Sequence, residues 1–410
     1  MTALSIKHNA TWLIASEFVS RFILFGVVVW LANSLGSSNF GELSYVFAIA
    51  NLTVVLADFG IHTYTTRLIA QSVTAWQKEK TQLIKFKLLG SSLSWLLTIL
   101  IVAVSSKLNL TTVVFGSLAI IIMSARMFSD SIARGTQQMQ LEGISKIIHT
   151  VFQAIGLTLG IILHWSLPLI ALSYSISALL GWLVSLYLVR NTLFTLPNLP
   201  SEKTLQTLAV LLLPFATSIA INAQFNYFDS AVLGWFNPKE VVGWYTAAYK
   251  PIFFLTALIG LLISAFFPVI TKLWHDNKFP EAEQKIISLL KLTMLLGWPI
   301  VIIGTLAAPT IFSLLFKPEY APAVLPFRIL LWSTLAIFFW APLGNSLQAI
   351  GQEKLYTKNF IIASIINIPL TIILVYWYNL SGAATATLIT QLLLAVLMYK
   401  DARKYFKHLW

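Results

Sequence analysis

Basic residues in this chain gather in every second connection between long apolar runs, and that alternation leaves few folds open. A helix needs about 20 mostly apolar residues to cross the hydrocarbon of a bilayer. About twelve such runs can be placed, near 12–35, 42–66, 86–105, 111–129, 144–163, 167–189, 207–234, 242–269, 287–308, 324–350, 358–377 and 381–400. With 58% hydrophobic and 10% charged residues, the chain carries more apolar surface than a water-soluble core can cover. The expected fold class is an all-α polytopic membrane protein.

The net charge of +12 describes topology rather than nucleic-acid binding. Lys7, Arg67, Lys78, Lys80, Lys85, Lys87, Arg126, Arg134, Lys146, Arg190, Lys203 and the basic residues of 272–291, 354–358 and 400–407 fall on or near one side. Only Lys107, Lys239 and Lys317 fall on the other. The positive-inside bias then predicts both termini in the cytoplasm and an even number of spans. The start of the chain reads as a first span rather than a cleavable signal, since its apolar run is too long for one.

Connections on the far side are short, at 105–110, 163–168, 236–241 and 378–381, whereas those at 73–86, 190–206 and 271–286 are longer. The last carries Pro280, Glu281, Glu283 and Lys285 ahead of Ile286, Leu289 and Leu290, a pattern compatible with an interfacial helix or with a solvated linker. Pro197 and Pro200 mark 190–206 as the midpoint, which predicts two six-helix halves, 1–196 and 197–410. Gly41 and Ser44 after the first span echo Gly243 and Thr246 after the seventh, as expected of a transporter built from repeats with its site between the halves.

Charges inside apolar runs normally face a bundle interior or a water-filled cavity, so they nominate a site. Glu17 and Arg21 stand four apart and can pair on one helix face. Asn222 and Asp229 lie seven apart on the seventh run, Lys250 lies a third of the way along the eighth, and Arg328 near the outer end of the tenth. Asp58 precedes Phe59 and Gly60 and marks a helix boundary if the second run stops there. Glu17 with Arg21 reads either as a self-neutralising structural pair or as a pair exchanged for an anionic substrate. Asp229 reads either as an ion or proton site or as a partner of Lys250, and Arg328 either as a phosphate contact or as an interfacial anchor.

Many of the 14 tryptophans sit near span ends, as interfacial anchors do, and prolines recur within spans from Pro214 to Pro369, where they bend helices. No phosphate-cradling glycine loop or metal-spaced histidine pair appears, with His8, His62, His149, His164, His275 and His408 scattered. The absence of cysteine excludes disulfides and cysteine-bound metals. No catalytic, cofactor or metal site is expected, and transport would draw on an ion gradient, the membrane potential or the substrate gradient itself, with coupling to protons, to sodium or to nothing left open.

Leu35 to Tyr45 with Leu56-Ala57-Asp58-Phe59-Gly60 resembles the LG-x-x-x-FG-x-x-S and ADxG patterns of the polysaccharide transporter family of oligosaccharide flippases, within the multidrug/oligosaccharidyl-lipid/polysaccharide exporter superfamily. Asp229 to Gly234 with Val242-Gly243-Trp244-Tyr245, then Phe316 to Ala321, Gly344 to Gly351 and Ser381 to Thr387, extend the resemblance over nearly the whole chain. The resemblance implies a V-shaped alternating-access transporter in the bacterial inner membrane. Its substrate would be an undecaprenyl-pyrophosphate-linked oligosaccharide, flipped from the cytoplasmic to the periplasmic leaflet for O-antigen, capsule or a related polymer, with a polymerase and chain-length regulator as partners. Arg21, Lys250, Arg328 and Asn222 become substrate-binding candidates, and Glu17, Asp58 and Asp229 ion- or proton-coupling candidates. The chain lacks the extra helix pair of the lipid II branch, which argues against a peptidoglycan precursor as cargo. The competing readings are a multidrug or small-solute antiporter of the same fold and a non-transporting scaffold of polymer assembly.

Overall fold

A computed structural model describes the backbone of residues 3–105, 108–197, 199–200 and 203–406, with side chains at Trp12 and from residue 16 onward except Leu258. Lys107, Lys407, His408 and Trp410, and the side chains of Lys7 and His8, lie outside the described residues. The described residues are helical, without a strand: α1 (Ala3–Asp58), α2 (Ile61–Gln71), α3 (Val73–Ser105), α4 (Leu110–Gly135), α5 (Met139–Ile162), α6 (Leu167–Arg190), α7 (Leu205–Phe236), α8 (Lys239–His275), α9 (Phe279–Leu315), α10 (Val324–Ala349) and α11 (Glu353–Tyr405). A π-helical turn covers Asn191–Thr195 and a 3-10 turn Pro318–Ala323. Among the described residues, 10 helical stretches are long and apolar enough to cross a membrane.

The helix ends share one device. Gln138, Trp165, Lys278 and Gln352 each donate their amide to the carbonyl five residues back (Ala133, Gly160, Leu273, Leu347) at 2.8–2.9 Å, and the residue before each has positive φ. This is the Schellman closure, which satisfies orphan carbonyls at a helix end. Its left-handed residues are Gln137, His164, Asn277 and Gly351, and only the last two types advertise the turn in sequence. Two helices carry an internal break instead, α1 at Gly36 (φ 76°) and α11 at Asn379 (φ 49°). In α11 the chain doubles back, since Asn359 bonds Asp401 at 3.0 Å and Asn367 bonds Thr390 at 2.9 Å.

The chain divides into two compact units, Met1–Ala231 and Val232–Trp410. In the first, α1 packs on α3, α4 and α5, and α6 packs on α4 and α5. The start of α7 joins this unit: Leu208 and Leu212 are buried with Trp76, Leu83 and Leu193. In the second unit α10 is central, packed by α8, α9 and α11.

Both units hide polar and small groups and display apolar ones. Leu88, Leu96, Leu100 and Val104 run exposed along α3, while Ser94 and Thr98 of the same helix are fully buried. Thr98 meets Thr53 of α1 at 2.6 Å. An exterior of this kind suits acyl chains, and buried hydroxyls and small residues hold membrane helices together. The chain is therefore a multi-pass membrane protein.

Two expected boundaries move. The run 42–66 stops at Asp58, where Phe59 (φ 37°) and Gly60 (φ 81°) break it, and 61–71 forms a separate short helix. The connection 73–86 is helical and continuous with the third span. Its charges obscured this, because Glu79, Lys80 and Lys87 are buried with partners rather than solvated. Lys80 donates to the carbonyls of Leu193 (3.2 Å) and Leu196, and Trp76 to that of Thr192 (3.3 Å). Lys203 bonds Glu79 at 2.5 Å and the Tyr64 hydroxyl at 2.9 Å. Burial alone would lower the Lys203 ammonium, but its bonds to Glu79 and Tyr64 outweigh that and hold it above the ordinary lysine value. These contacts clasp the segment between α6 and α7 onto α2 and α3.

Candidate functional site

Helical spacing of four brings Glu17 and Arg21 onto one face of α1, and they pair as expected, Arg21 Nε to Glu17 Oε1 at 2.5 Å. Glu17 also accepts from Lys146 of α5 through its other oxygen. α5 packs against α1 here, with Gly143, one turn before Lys146, facing Ser16 and the Trp12 carbonyl. The triad stays accessible: the Arg21, Glu17 and Lys146 side chains are 43%, 30% and 28% exposed. Tyr227 of α7 lies within electrostatic range of Arg21.

Asp58 ends α1, yet it is more than a boundary marker. Its Oδ1 accepts from Lys87 of α3 at 2.8 Å and from Ser124 of α4 at 2.5 Å, with His62 of α2 at 3.9 Å. The three helices can meet there because Gly90 lets α3 rest on the Leu56 carbonyl and Ala57. Asp58 and Lys87 are both buried, so the pair is closed to solvent.

The remaining candidates are placed apart from this cluster in the chain. Asn222 is exposed on α7, its carbonyl and side-chain oxygens accepting from Asn226 at 2.7 and 3.2 Å. Asp229 is buried two turns beyond Asn222 on the same helix. Lys250 is half-buried in α8 beside Pro251, and no ion pair or hydrogen bond to it is found among the described residues. Arg328 is half-buried at the start of α10 and donates from Nε to the Thr305 carbonyl at 3.0 Å.

A second buried network was not singled out from sequence. Arg126 pairs with Asp130 at 2.7 Å, and Asp130 also accepts from Ser145 (2.8 Å) and Ser185 (2.6 Å), which ties α4 to α5 and α6. Arg134, one turn on, pairs with Glu142 of α5 at 2.9 Å. Arg126, Arg134 and Lys146 had been counted only as topology-setting cations. The signal that could have separated them is the run Arg126, Asp130, Arg134 at intervals of four on one face of an apolar helix.

Cations held by shared carboxylates can take up an anion and give it back, because the carboxylate offers a competing partner at no change in net charge. The Arg21 triad has that arrangement of charges. Buried pairs such as Arg126 with Asp130 are better suited to holding helices in place, since removing one member strands a charge.

Comparison with known proteins agrees with this architecture. Residues 6–274 match the polysaccharide biosynthesis protein family and residues 214–373 the MatE family. A probable low-salt glycan biosynthesis flippase of Haloferax volcanii is 24% identical over 363 residues, which cover 88% of this chain and 75% of the relative. A putative O-antigen transporter of Shigella dysenteriae is 21% identical, covering 97% of this chain and all of its own. Among solved structures, an inward-facing multidrug resistance MATE family transporter superposes with a TM-score of 0.76 at 14% identity, covering 95% of each chain. The lipid II flippase MurJ in an inward closed conformation superposes with a TM-score of 0.71 at 17% identity, covering 97% of this chain and 89% of its own. At such identities the structures speak to fold alone. The match to residues 6–274 spans well over half of the chain, and so the chain belongs to the polysaccharide biosynthesis protein family, with the helical fold of the MATE and MurJ transporters.

Proposed function

We propose that this protein flips a polyprenyl-diphosphate-linked oligosaccharide from the cytoplasmic to the periplasmic leaflet, for assembly of an O-antigen-like surface polysaccharide. The observation that carries the reading is Arg21: an accessible cation on a membrane-spanning helix, whose ion pair among the described residues is to a carboxylate that Lys146 also holds. A cation there calls for an aqueous or anionic host. Guanidinium fits a phosphate with a rigid fork of donors. The names of the relatives, a glycan biosynthesis flippase and an O-antigen transporter, support the same class of cargo.

In this reading α1 and α11 each cross the membrane twice around Gly36 and Asn379, so that twelve passes form two six-helix lobes. The protein sits in the inner membrane with both termini in the cytoplasm and works by alternating access. The diphosphate meets Arg21, with Lys250, Arg328 and Asn222 as further contacts, while the polyprenyl tail stays in lipid. Glu17, Asp58 and Asp229 are the groups through which a proton or sodium gradient would act.

A multidrug exporter of the same fold is the second reading, favoured by the match of residues 214–373 to the MatE family. Cationic drugs would want an acidic site, and the surplus of positive charge around Glu17 opposes it. Depletion of the protein in its own cell separates the two. The flippase reading expects lipid-linked oligosaccharide to accumulate where only cytoplasmic-side reagents reach it, with loss of surface polymer. Normal surface polymer after depletion would overturn it.

A further inference from the structure

Among the described residues of the first unit, Glu79 pairs with Lys203 and three further carboxylates each meet one cation, whereas Glu17 meets two. Arg126 with Asp130 (2.7 Å), Arg134 with Glu142 (2.9 Å) and Lys87 with Asp58 (2.8 Å) each balance one positive charge with one negative. Glu17 instead serves both Arg21 and Lys146, which leaves one positive charge over. Arg21 is also the most exposed of these cations, since Arg134 at 29% stands level with Lys146. The side chains of Arg126 and Asp130 are 7% and 4% exposed, and those of Arg21 and Lys146 are 43% and 28%. The surplus charge of this cluster therefore lies where a ligand can reach it.

The two cations are not equivalent. Arg21 bonds Glu17 along its own helix, and its guanidinium has further N–H donors beyond the Nε used in that bond. Lys146 comes from a different helix, and its single ammonium is committed to the opposite oxygen of Glu17. An anion that takes Arg21 leaves Glu17 paired with Lys146, so no carboxylate is stranded in the membrane. When the anion leaves, Glu17 is in place to take Arg21 back.

We propose that Arg21 is the contact for the diphosphate of the polyprenyl carrier, that Glu17 is a built-in competitor for it, and that Lys146 is a positioning residue that draws Glu17 away. This rests on the flippase reading above and assigns the groups that set its affinity. The consequence is a pattern of opposite signs. Removing the Glu17 charge frees Arg21 and tightens anion binding. Removing the Lys146 charge gives Glu17 wholly to Arg21 and weakens it, although Lys146 does not touch the anion.

The test uses the purified full chain in detergent, with undecaprenyl diphosphate lacking any glycan and, separately, inorganic pyrophosphate as probes, and native mass spectrometry as the readout of bound fraction. Ion pairs of this exposure shift affinity by roughly threefold. Glu17→Gln is expected to tighten lipid diphosphate binding by roughly that factor and Lys146→Gln to weaken it by a similar one. The double variant should bind like Glu17→Gln alone, because Lys146 acts only through Glu17. Lys146→Arg should bind like the wild type, which separates loss of charge from loss of fold, and Arg21→Gln should lose binding. If the wild type binds neither probe, the flippase reading fails and the inference with it. Where the wild type binds and Arg21→Gln loses it, but Lys146→Gln is unchanged or Glu17→Gln also weakens, the inference is overturned and the flippase reading stands. Inorganic pyrophosphate binding as tightly as the lipid form would overturn the assignment to a polyprenyl carrier.

Discussion

Proline removes the amide that would bond the carbonyl four residues back, so Pro309 leaves the Thr305 carbonyl of α9 without its helical donor. Arg328 supplies one from the neighbouring helix, Nε to the Thr305 oxygen at 3.0 Å. A membrane interior makes that repair valuable, because an unpaired carbonyl has no water to turn to. The guanidinium keeps terminal N–H groups beyond that bond, so a helix-joining role is compatible with the proposed substrate contact. Arg328→Met is expected to lower stability by about 1–3 kcal/mol, the range for a hydrogen bond to a charged donor. Pro309→Ala restores the missing amide, so the Arg328→Met, Pro309→Ala double variant should recover much of that loss. Thermal unfolding of the four proteins in one detergent measures the coupling, and strictly additive effects would show that Arg328 does not serve this carbonyl. Sequence reading could nominate Arg328 because a cation in an apolar run stands out. Its partner could not be read, since Thr305 lies on another helix and its carbonyl belongs to the backbone.

Helices behave as the apolar runs foretold wherever the turn between them is chemically loud. The expected turn at 378–381 holds Asn379, and the expected gap after the first run holds Gly36, both at positive φ. Elements went unread where charges are paired out of sight: 73–86 looks like a solvated loop until Lys80 is seen spent on two carbonyls and Glu79 on Lys203 and Tyr64. The hairpin in α11 makes the sharpest demand on sequence. As a straight helix its 53 residues would reach about 80 Å, more than twice the hydrocarbon thickness. Folding it back presses Gly382 onto the preceding arm, where an added Cβ would stand 1.9 Å from the Leu374 carbonyl oxygen. Backbone cannot yield as a flexible side chain can. Gly382→Ala should therefore cost at least the ~1–3 kcal/mol typical of overpacking and sharply reduce the yield of monodisperse protein. Gly260→Ala in α8, with nothing within 4 Å of its Cβ, is the control and should match or slightly exceed the wild type. Equal yields from both variants would contradict the hairpin.

Across the whole molecule, the distribution of cations between turns carries the proposed orientation. The turn between α8 and α9 lies among Lys272, Lys278 and Lys285, whereas the α5–α6 turn at 163–166 holds no lysine or arginine. Insertion keeps such basic turns on the cytoplasmic side. The apolar runs foretold spans but not the Glu17–Lys146 contact between α1 and α5, because which helices pack side by side is not written in the hydropathy of any one run. Orientation, by contrast, is open to a direct check because the chain has no cysteine of its own, so a single introduced thiol reports one position. Asn277, exposed in the α8–α9 turn, and His164, exposed in the α5–α6 turn, both project from positive-φ positions at helix ends. His164→Cys is expected to react with a membrane-impermeant maleimide in spheroplasts with an intact inner membrane. Asn277→Cys should react only after that membrane is opened. The reverse pattern would place both termini outside and overturn the direction of flipping; labelling of both thiols without permeabilisation would mean that the two turns share a side, which requires an even count of passes between them and which three crossings by α6, α7 and α8 forbid.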